Sequence, residues 1–177
     1  MNLTDIIAQA FGIAGFVITV LSYQERNNKK FFIKQALAGL MFFMNFSIIG
    51  AWTAAMFNLT NLGRGALLSK NDKKLWRLVL IEALYTICFL IGLATIIGVP
   101  KQIFVSALTY VGLFVMTVFM WKGNGKHIRY VQLSLTSPVW IIHNIYNFSL
   151  GGLLCEIFSM VSVIISFIRF GKDGFEK

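Results

Sequence analysis

Long apolar stretches, separated by short charged or turn-forming breaks, run through almost the whole chain. Seven of them can be distinguished, at 5–23, 31–50, 51–68, 78–98, 103–121, 130–148 and 150–168. Each stretch approaches the roughly 20 residues that an α-helix needs to cross the hydrocarbon core of a bilayer. The pattern therefore predicts an all-α integral membrane protein with seven transmembrane helices.

Two pairs of stretches adjoin with no charged loop between them. The second and third meet around Gly50, and the sixth and seventh meet at the sequence SLGG of 149–152. Either pair, taken as one helix, would be about 57 Å long, nearly twice the thickness of the hydrocarbon core. We therefore predict a tight turn at the glycines of each junction.

Composition supports this interpretation and narrows the class of protein. The chain of 177 residues is 57% hydrophobic and 13% charged, whereas a soluble domain is about half apolar and a quarter charged. Seven spans leave no room for a soluble catalytic domain. The sequence also has no His-x-x-x-His pair and no Gly-x-Ser-x-Gly motif. We expect no enzyme activity, no metal site and no cofactor.

The net charge of +9 first suggests an anionic partner such as nucleic acid. If the seven spans are right, however, 15 of the 16 Lys and Arg residues fall on one side of the membrane, and Lys101 alone falls on the other. Basic residues concentrate on the cytoplasmic side of membrane proteins. The charge therefore predicts an N-terminus outside, a cytoplasmic C-terminus and contact with anionic lipid head groups, and no nucleic-acid partner.

The basic segments indicate an internal repeat. Those at 24–30 and 69–77 recur at 122–129 and 169–177, a shift of about 99 residues that places Asn45 on Asn144. Two three-helix units of equal orientation would then flank an odd fourth helix.

We accordingly predict three regions, a first three-helix bundle at 1–68, a cytoplasmic loop with a linker helix at 69–98, and a second three-helix bundle with a short tail at 99–177. This 3+1+3 layout resembles that of the SWEET sugar transporters and the PnuC vitamin-precursor transporters. The likeness rests on architecture alone.

Polar residues interrupt the apolar spans at helical spacing. In the sixth span, Trp140, His143, Asn144 and Asn147 share one helical face. The other spans add Asn45, Asn58, Asn61 and Glu156. Because polar groups that face lipid are costly, these side chains must face other helices or a water-filled cavity.

Amides, an indole, an imidazole and a carboxylate suit a polar solute with hydroxyl, amide or ring groups better than a metal ion. The predicted solute-binding residues are Asn45, Asn58, Asn61, Trp140, His143, Asn144 and Asn147. Glu156 and His143 are candidates for proton coupling or gating, and Pro138 for a bend at which the helix could rock. Each also has a structural interpretation, as an interhelical hydrogen bond, a neutral Glu156 bonded to Asn144 or His143, or a static kink.

Arg64 and Glu82 are closer to the basic ends of their helices. We expect them to reach the membrane surface or to form a structural pair with each other.

The sequence WIIHN at 140–144, SLGG at 149–152, Glu156 and FIR at 167–169 resemble the bacterial inner-membrane protein family of YgjV. That resemblance implies a multi-pass protein of the bacterial inner membrane. It also implies a relationship in fold to the SWEET and PnuC transporters.

These observations lead to one functional hypothesis and one rival. The first is a small facilitator or proton-linked carrier for a small polar metabolite, working by alternating access between the two bundles. The rival is a non-transporting membrane subunit or scaffold whose polar residues only hold helices together. The expected partners are the lipid bilayer and a small polar solute, and a homo-oligomer is compatible with either hypothesis.

Overall fold

The computed structural model describes residues 3–50, 52–70, 73–146 and 150–170, and these contain helices and turns but no strand. The helices are α1 (Leu3–Ser22), α2 (Asn28–Ile48), α3 (Trp52–Leu68), α4 (Leu75–Thr95), α5 (Pro100–Lys122), α6 (Gly125–Val131), α7 (Ser137–Tyr146) and α8 (Leu150–Phe170). A π-helical turn, Gln132–Thr136, joins α6 to α7 without a break. We call the continuous rod of residues 125–146 the composite helix.

Five helices in the described part of the chain are long and apolar enough to cross a membrane, namely α1, α2, α4, α5 and α8. α3, with 17 residues, and the composite helix occupy the positions of the third and sixth predicted spans. The prediction of an all-α, multi-pass membrane protein is confirmed. The composite helix begins at Gly125 rather than at residue 130, because the side chain of Asn124 caps it by accepting a hydrogen bond from His127 N at 3.2 Å.

The turn predicted between the second and third spans is present at Gly50, whose φ is +78°. The Gly50 N–H donates to the Ser47 carbonyl at 3.3 Å, which ends α2. Glycine is the residue that adopts this left-handed conformation without strain. The turn predicted at 149–152 was wrong for residues 150–152, which form the first turn of α8, and residue 149 lies outside the described residues.

The helices form a ring in chain order. Each packs against the next, from α1 to α5, through the composite helix to α8, and α8 packs back against α1. α4 contacts both α3 and α5, which also contact each other. α4 therefore lies where α3 and α5 meet.

The outer surface of the ring is apolar and its interior contains polar side chains, as expected for a protein in a membrane. Large apolar side chains such as Ile13, Ile97 and Phe104 are exposed on the outside, Ile97 to 79%. Polar side chains, including Asn58 and Asn144, are buried inside. An apolar surface of this extent suits lipid and would be unfavourable in water.

Arg129 closes the ring at the end that carries the basic turns between α1 and α2 and between α5 and α6, here called the basic end. Its side chain is 3% exposed. The guanidinium donates to Ser166 Oγ of α8 at 2.6 Å and to the carbonyls of Tyr23 and Glu25, after α1, at 3.1 and 3.2 Å. Sequence interpretation had counted Arg129 among the loop charges. That placement was wrong because the composite helix starts before it.

Further polar contacts support the same seam between α1 and α8. The Gln24 amide donates to the carbonyl and hydroxyl of Ser162, at 2.6 and 2.8 Å, and the Ser162 hydroxyl donates to the Val20 carbonyl at 2.7 Å. The two basic turns also meet, since Asn28 Nδ2 donates to the Gly123 carbonyl at 3.3 Å. The basic end is therefore closed by side-chain to backbone hydrogen bonds.

α2 and α3 approach most closely at Gly65. A Cβ at this position would lie 2.7 Å from Ala36 Cβ, Ala36 N and the Phe32 carbonyl oxygen, two of which are backbone atoms. We expect Gly65→Ala to lower the free energy of unfolding in detergent by about 1–3 kcal/mol. Gly63 is the matched control on the same helix, because a Cβ there meets nothing within 4 Å. Gly63→Ala should be neutral or stabilise by up to about 1 kcal/mol. Equal destabilisation by the two substitutions would contradict the proposed close packing.

Removal of the Arg129 guanidinium should open the seam between α1 and α8. Arg129→Ala leaves the Tyr23 and Glu25 carbonyls and Ser166 without their donor, which should cost at least about 2 kcal/mol of unfolding free energy. The exposed Arg169, which donates to Gln24 Oε1 at 2.9 Å, is the control. Arg169→Ala should cost less than about 1 kcal/mol. Thermal unfolding of both purified variants measures the difference, and similar losses would contradict the special role of Arg129.

Candidate functional site

A cavity lies inside the ring and contains about 750 Å³ of space, its opening included. All the helices except α4 and α6 contribute to the described lining, and the composite helix does so through the π-helical turn and α7. The lining residues are Thr19, Tyr23, Gln35, Ala38, Gly39, Phe42, Phe46, Asn58, Asn61, Arg64, Leu113, Met116, Met120, Gln132, Thr136, Trp140, Asn144, Gly152, Cys155 and Glu156.

One wall of the cavity is formed by the polar face of α3. Asn58, Asn61 and Arg64 follow one another at intervals of three residues and all line the cavity. The Asn58 amide donates to the Ala54 carbonyl at 2.8 Å, and the Asn61 amide donates to Asn58 Oδ1 at 3.4 Å. The hydroxyl of Tyr85, from α4, donates to Asn61 Oδ1. α4 thus supports this wall from behind without reaching the cavity.

Arg64 is the charged member of this wall. Its side chain is 5% exposed, with NH1 donating to Thr117 Oγ1 at 3.3 Å and the guanidinium 5.8 Å from the centre of the Tyr85 ring. Its Nε is buried without a hydrogen-bond partner in the described structure. Both carboxylate oxygens of the buried Glu82 also lack one. The expectation that Arg64 reaches the surface was therefore wrong, and no hydrogen bond joins it to Glu82 in the described structure, although the two charges interact.

The opposite wall contains Glu156 of α8, held by the π-helical turn. Ser137 Oγ donates to Glu156 Oε2 at 2.7 Å, and Gln132 Nε2 donates to Ser137 Oγ at 2.7 Å and to Glu156 Oε2 at 3.5 Å. Residues 132 and 137 bracket the turn, in which the Ser137 N–H bonds the Gln132 carbonyl five residues back. The wider turn brings both side chains to the carboxylate. π-Helical turns of this kind are frequent at functional sites.

Pro138 directly follows this turn. Proline has no N–H and clashes with the carbonyl four residues before it, so a regular α-helix cannot continue through this position. The π-helical turn accommodates the proline while the rod stays continuous. The hydroxyl of Ser137 bonds Glu156 rather than a backbone group freed by Pro138, and Pro138 itself is not among the lining residues.

Trp140 and Asn144 line the cavity one and two turns beyond the π-helical segment. His143 does not line it, and its ring instead contacts the Trp140 ring edge-on at 5.2 Å between centroids. Asn144 is buried against Gly152 of α8, where any Cβ would collide with the Asn144 amide. A side chain larger than hydrogen at position 152 would therefore displace Asn144 from its place.

Asn45 lies apart from the cavity. Its amide donates to the Ala8 carbonyl of α1 at 2.7 Å and packs over Gly12. Asn45 therefore contacts the preceding helix, whereas Asn144, its partner at the predicted repeat shift, contacts the following one. The predicted site residue Asn147 lies outside the described residues.

The structure thus brings together five of the predicted residues, namely Asn58, Asn61, Trp140, Asn144 and Glu156. Sequence reasoning did not assign Gln132, Thr136, Ser137 or Arg64 to the site. A signal for two of them was present, because Gln132, Thr136, Trp140 and Asn144 are spaced by four residues. Continuing the polar face of the sixth span toward the N-terminus from Trp140, at the same spacing, would have identified Gln132 and Thr136.

Comparisons with known proteins agree with a membrane protein. Residues 6–174 match the model of the Imp-YgjV family, described as bacterial inner membrane protein. The chain is 24% identical over 167 residues to the inner membrane protein YgjV of Escherichia coli (strain K12), an alignment that covers 94% of this chain and 85% of that protein. No solved structure matches the chain. Because the family model covers nearly the whole sequence, the protein belongs to the Imp-YgjV family of bacterial inner membrane proteins, as the residues of 140–169 had indicated.

Proposed function

We propose that this multi-pass inner membrane protein transports a small polar solute through the ring of helices. The observation that carries the proposal is the cavity itself, which amide and charged side chains line inside a protein whose outer surface is apolar. A solute with hydroxyl, amide or ring groups would exchange its hydration for the side chains of Asn58, Asn61 and Asn144. The indole of Trp140 would stack on its ring or cover its apolar part.

Glu156 is our candidate for proton coupling or gating. As a carboxylate it accepts the hydrogen bonds of Ser137 and Gln132, and on protonation it would offer a donor in their place. Such a change would alter the contacts of α8 with the π-helical turn. His143 does not line the cavity, so in this proposal it would act through Trp140, whose ring it contacts edge-on. Both a facilitator and a proton-linked carrier remain within this proposal.

Alternating access supplies the mechanism that we propose. At the basic end, Tyr23, Phe31, Ile128 and Arg129 are buried and close the ring. The cavity lining extends to Phe46 and Gly152, near the opposite ends of α2 and α8. Transport would require the basic end to open as the other end closes.

The predicted layout offers two bodies that could rock against each other. The three-helix bundle at 1–68 and the bundle at 99–177 would be joined by α4 within the linker of 69–98. Two observations support this division, since α4 contributes no described lining residue and packs between α3 and α5. In this respect the layout resembles that of the SWEET and PnuC transporters.

A non-transporting subunit or scaffold is the second candidate. The amides of Asn45 and Asn58 donate to backbone carbonyls, as residues with a purely structural role would. The cavity is what distinguishes the two functions, because a scaffold has no need for polar side chains around an open chamber.

Uptake into proteoliposomes tests the proposal. A panel of nucleosides, vitamins, sugars and amino acids should contain at least one compound that the purified protein moves saturably. Asn144→Ala and Glu156→Gln should each reduce that uptake by at least about tenfold, because a buried polar site that loses a partner leaves a group of the solute unpaired. Asn45→Ala is the control outside the cavity, to be compared at equal folded protein. Unchanged transport in both site variants would contradict the site.

We also propose that the N-terminus lies outside and the C-terminus in the cytoplasm, on the evidence of 15 basic residues against one. Single cysteines introduced at Lys101 and Lys122, in a background without Cys88 and Cys155, test this in intact cells. A membrane-impermeant maleimide should label position 101 and not position 122. The reverse labelling would overturn the orientation.

A further inference from the structure

Two opposite charges face the cavity from different walls. Among the described lining residues, Arg64 is the one cation and Glu156 the one carboxylate. No ion pair joins the two side chains in the described structure. Charges that are held in an apolar protein interior without a counter-charge are unfavourable. A bound solute is therefore the natural source of the missing charges.

Arg64 has hydrogen-bond donors that the described contacts leave unused. A guanidinium carries five N–H donors, and the described contacts use Nη1, at a long 3.3 Å to Thr117 Oγ1. Nε is enclosed by protein without a hydrogen-bond partner, and the guanidinium carbon lies 5.8 Å from the centre of the Tyr85 ring. Planar, bidentate donors of this kind match a carboxylate or phosphate group.

Glu82 does not fill this role. It belongs to α4, which does not line the cavity, and its two carboxylate oxygens make no hydrogen bond in the described structure. Its charge offsets part of the Arg64 charge at a distance. No hydrogen bond joins Glu82 to Arg64 in the described structure, so Glu82 does not use the remaining guanidinium donors.

Glu156 likewise has one carboxylate oxygen with hydrogen bonds and one without. Oε2 accepts from Ser137 and Gln132, whereas Oε1 makes no hydrogen bond with the described residues. Ser137 and Gln132 fix the orientation of the carboxylate and leave Oε1 available. A protonated amine is the group that combines a positive charge with donors for this oxygen.

The same cavity is lined by apolar side chains as well as amides. Phe42, Met116 and Trp140 are among them, and they suit the carbon skeleton of a small molecule. We propose that the transported solute is a zwitterion of the amino-carboxylate class, with its anionic group on Arg64 and its protonated amine on Glu156. This inference rests on the proposed transport function and specifies its substrate class.

The test compares L-alanine, L-leucine and L-glutamine with analogues that each lack one charge. The amino acid amides remove the carboxylate, and the corresponding deaminated carboxylic acids remove the amine. In proteoliposomes of the wild-type protein, at least one amino acid should enter at least about tenfold faster than both of its analogues. Organic phosphates without an amine form a further arm, because Arg64 would accept phosphate as well as carboxylate.

Variants of the protein test which side chain binds the carboxylate of the solute and which binds its amine. Arg64→Gln and Glu156→Gln should each reduce amino acid uptake by at least about tenfold, and the exposed Lys101→Gln should leave it unchanged. Arg64→Lys keeps the charge without the planar fork and should give an intermediate rate. Should Arg64→Gln fail to fold, the analogue comparison with the wild-type protein still decides the question.

The remaining outcomes separate this inference from the transport function. Uptake of nucleosides or sugars without uptake of amino acids would overturn the zwitterion and leave transport standing. Uptake of phosphates or carboxylic acids that Glu156→Gln does not change would also overturn it. Uptake of no compound in either panel would count against both.

Discussion

The ring of helices closes where α8 packs back against α1, and Arg129 is the side chain that joins them. Its donors reach the carbonyls that follow α1 and the hydroxyl of Ser166, so that backbone groups at a helix end are satisfied inside the protein. Within a bilayer no water is present to satisfy such groups instead. The closed ring creates an interior shielded from lipid, and buried polar side chains such as Asn58 and Asn144 depend on that interior.

Polar residues inside the ring fall into two kinds. Asn45, Gln24 and Ser162 donate to carbonyls of neighbouring helices and contribute to packing. Arg64 and Glu156 keep donors or acceptors that no described side chain fills. Hydrogen bonds between membrane helices contribute about 0.6–2 kcal/mol each, so the first kind is explained by stability alone. The second kind carries an electrostatic cost that stability does not explain.

The sequence was sufficient to predict most of the fold. Apolar stretches of about 20 residues define the helices because the bilayer fixes their length, and a glycine with positive φ ends α2 where the turn was expected. The start of the composite helix was placed too late because the cap formed by Asn124 depends on a single side chain rather than on hydropathy. Arg129 was misplaced for the same reason.

Less of the candidate site could be predicted. Helical spacing identified Asn58, Asn61, Trp140 and Asn144, since the period of 3.6 residues places them on interior faces. The same spacing could not distinguish Asn45, which bonds α1, from residues at the cavity, because both environments are buried and polar. Helical spacing did not identify Ser137 as a site residue, because the π-helical turn changes the helical register.

That turn links the backbone to the chemistry of the cavity. Pro138 prevents a regular α-helix, the wider turn absorbs the proline, and the same turn brings Gln132 and Ser137 to Glu156. A change in the charge of Glu156 would therefore act on the segment of the composite helix where the α-helical hydrogen-bond pattern is already interrupted. π-Helical turns of this kind often occur at functional sites and bends. The proline thus lies next to the interrupted part of the helix, beside the one carboxylate that lines the described cavity.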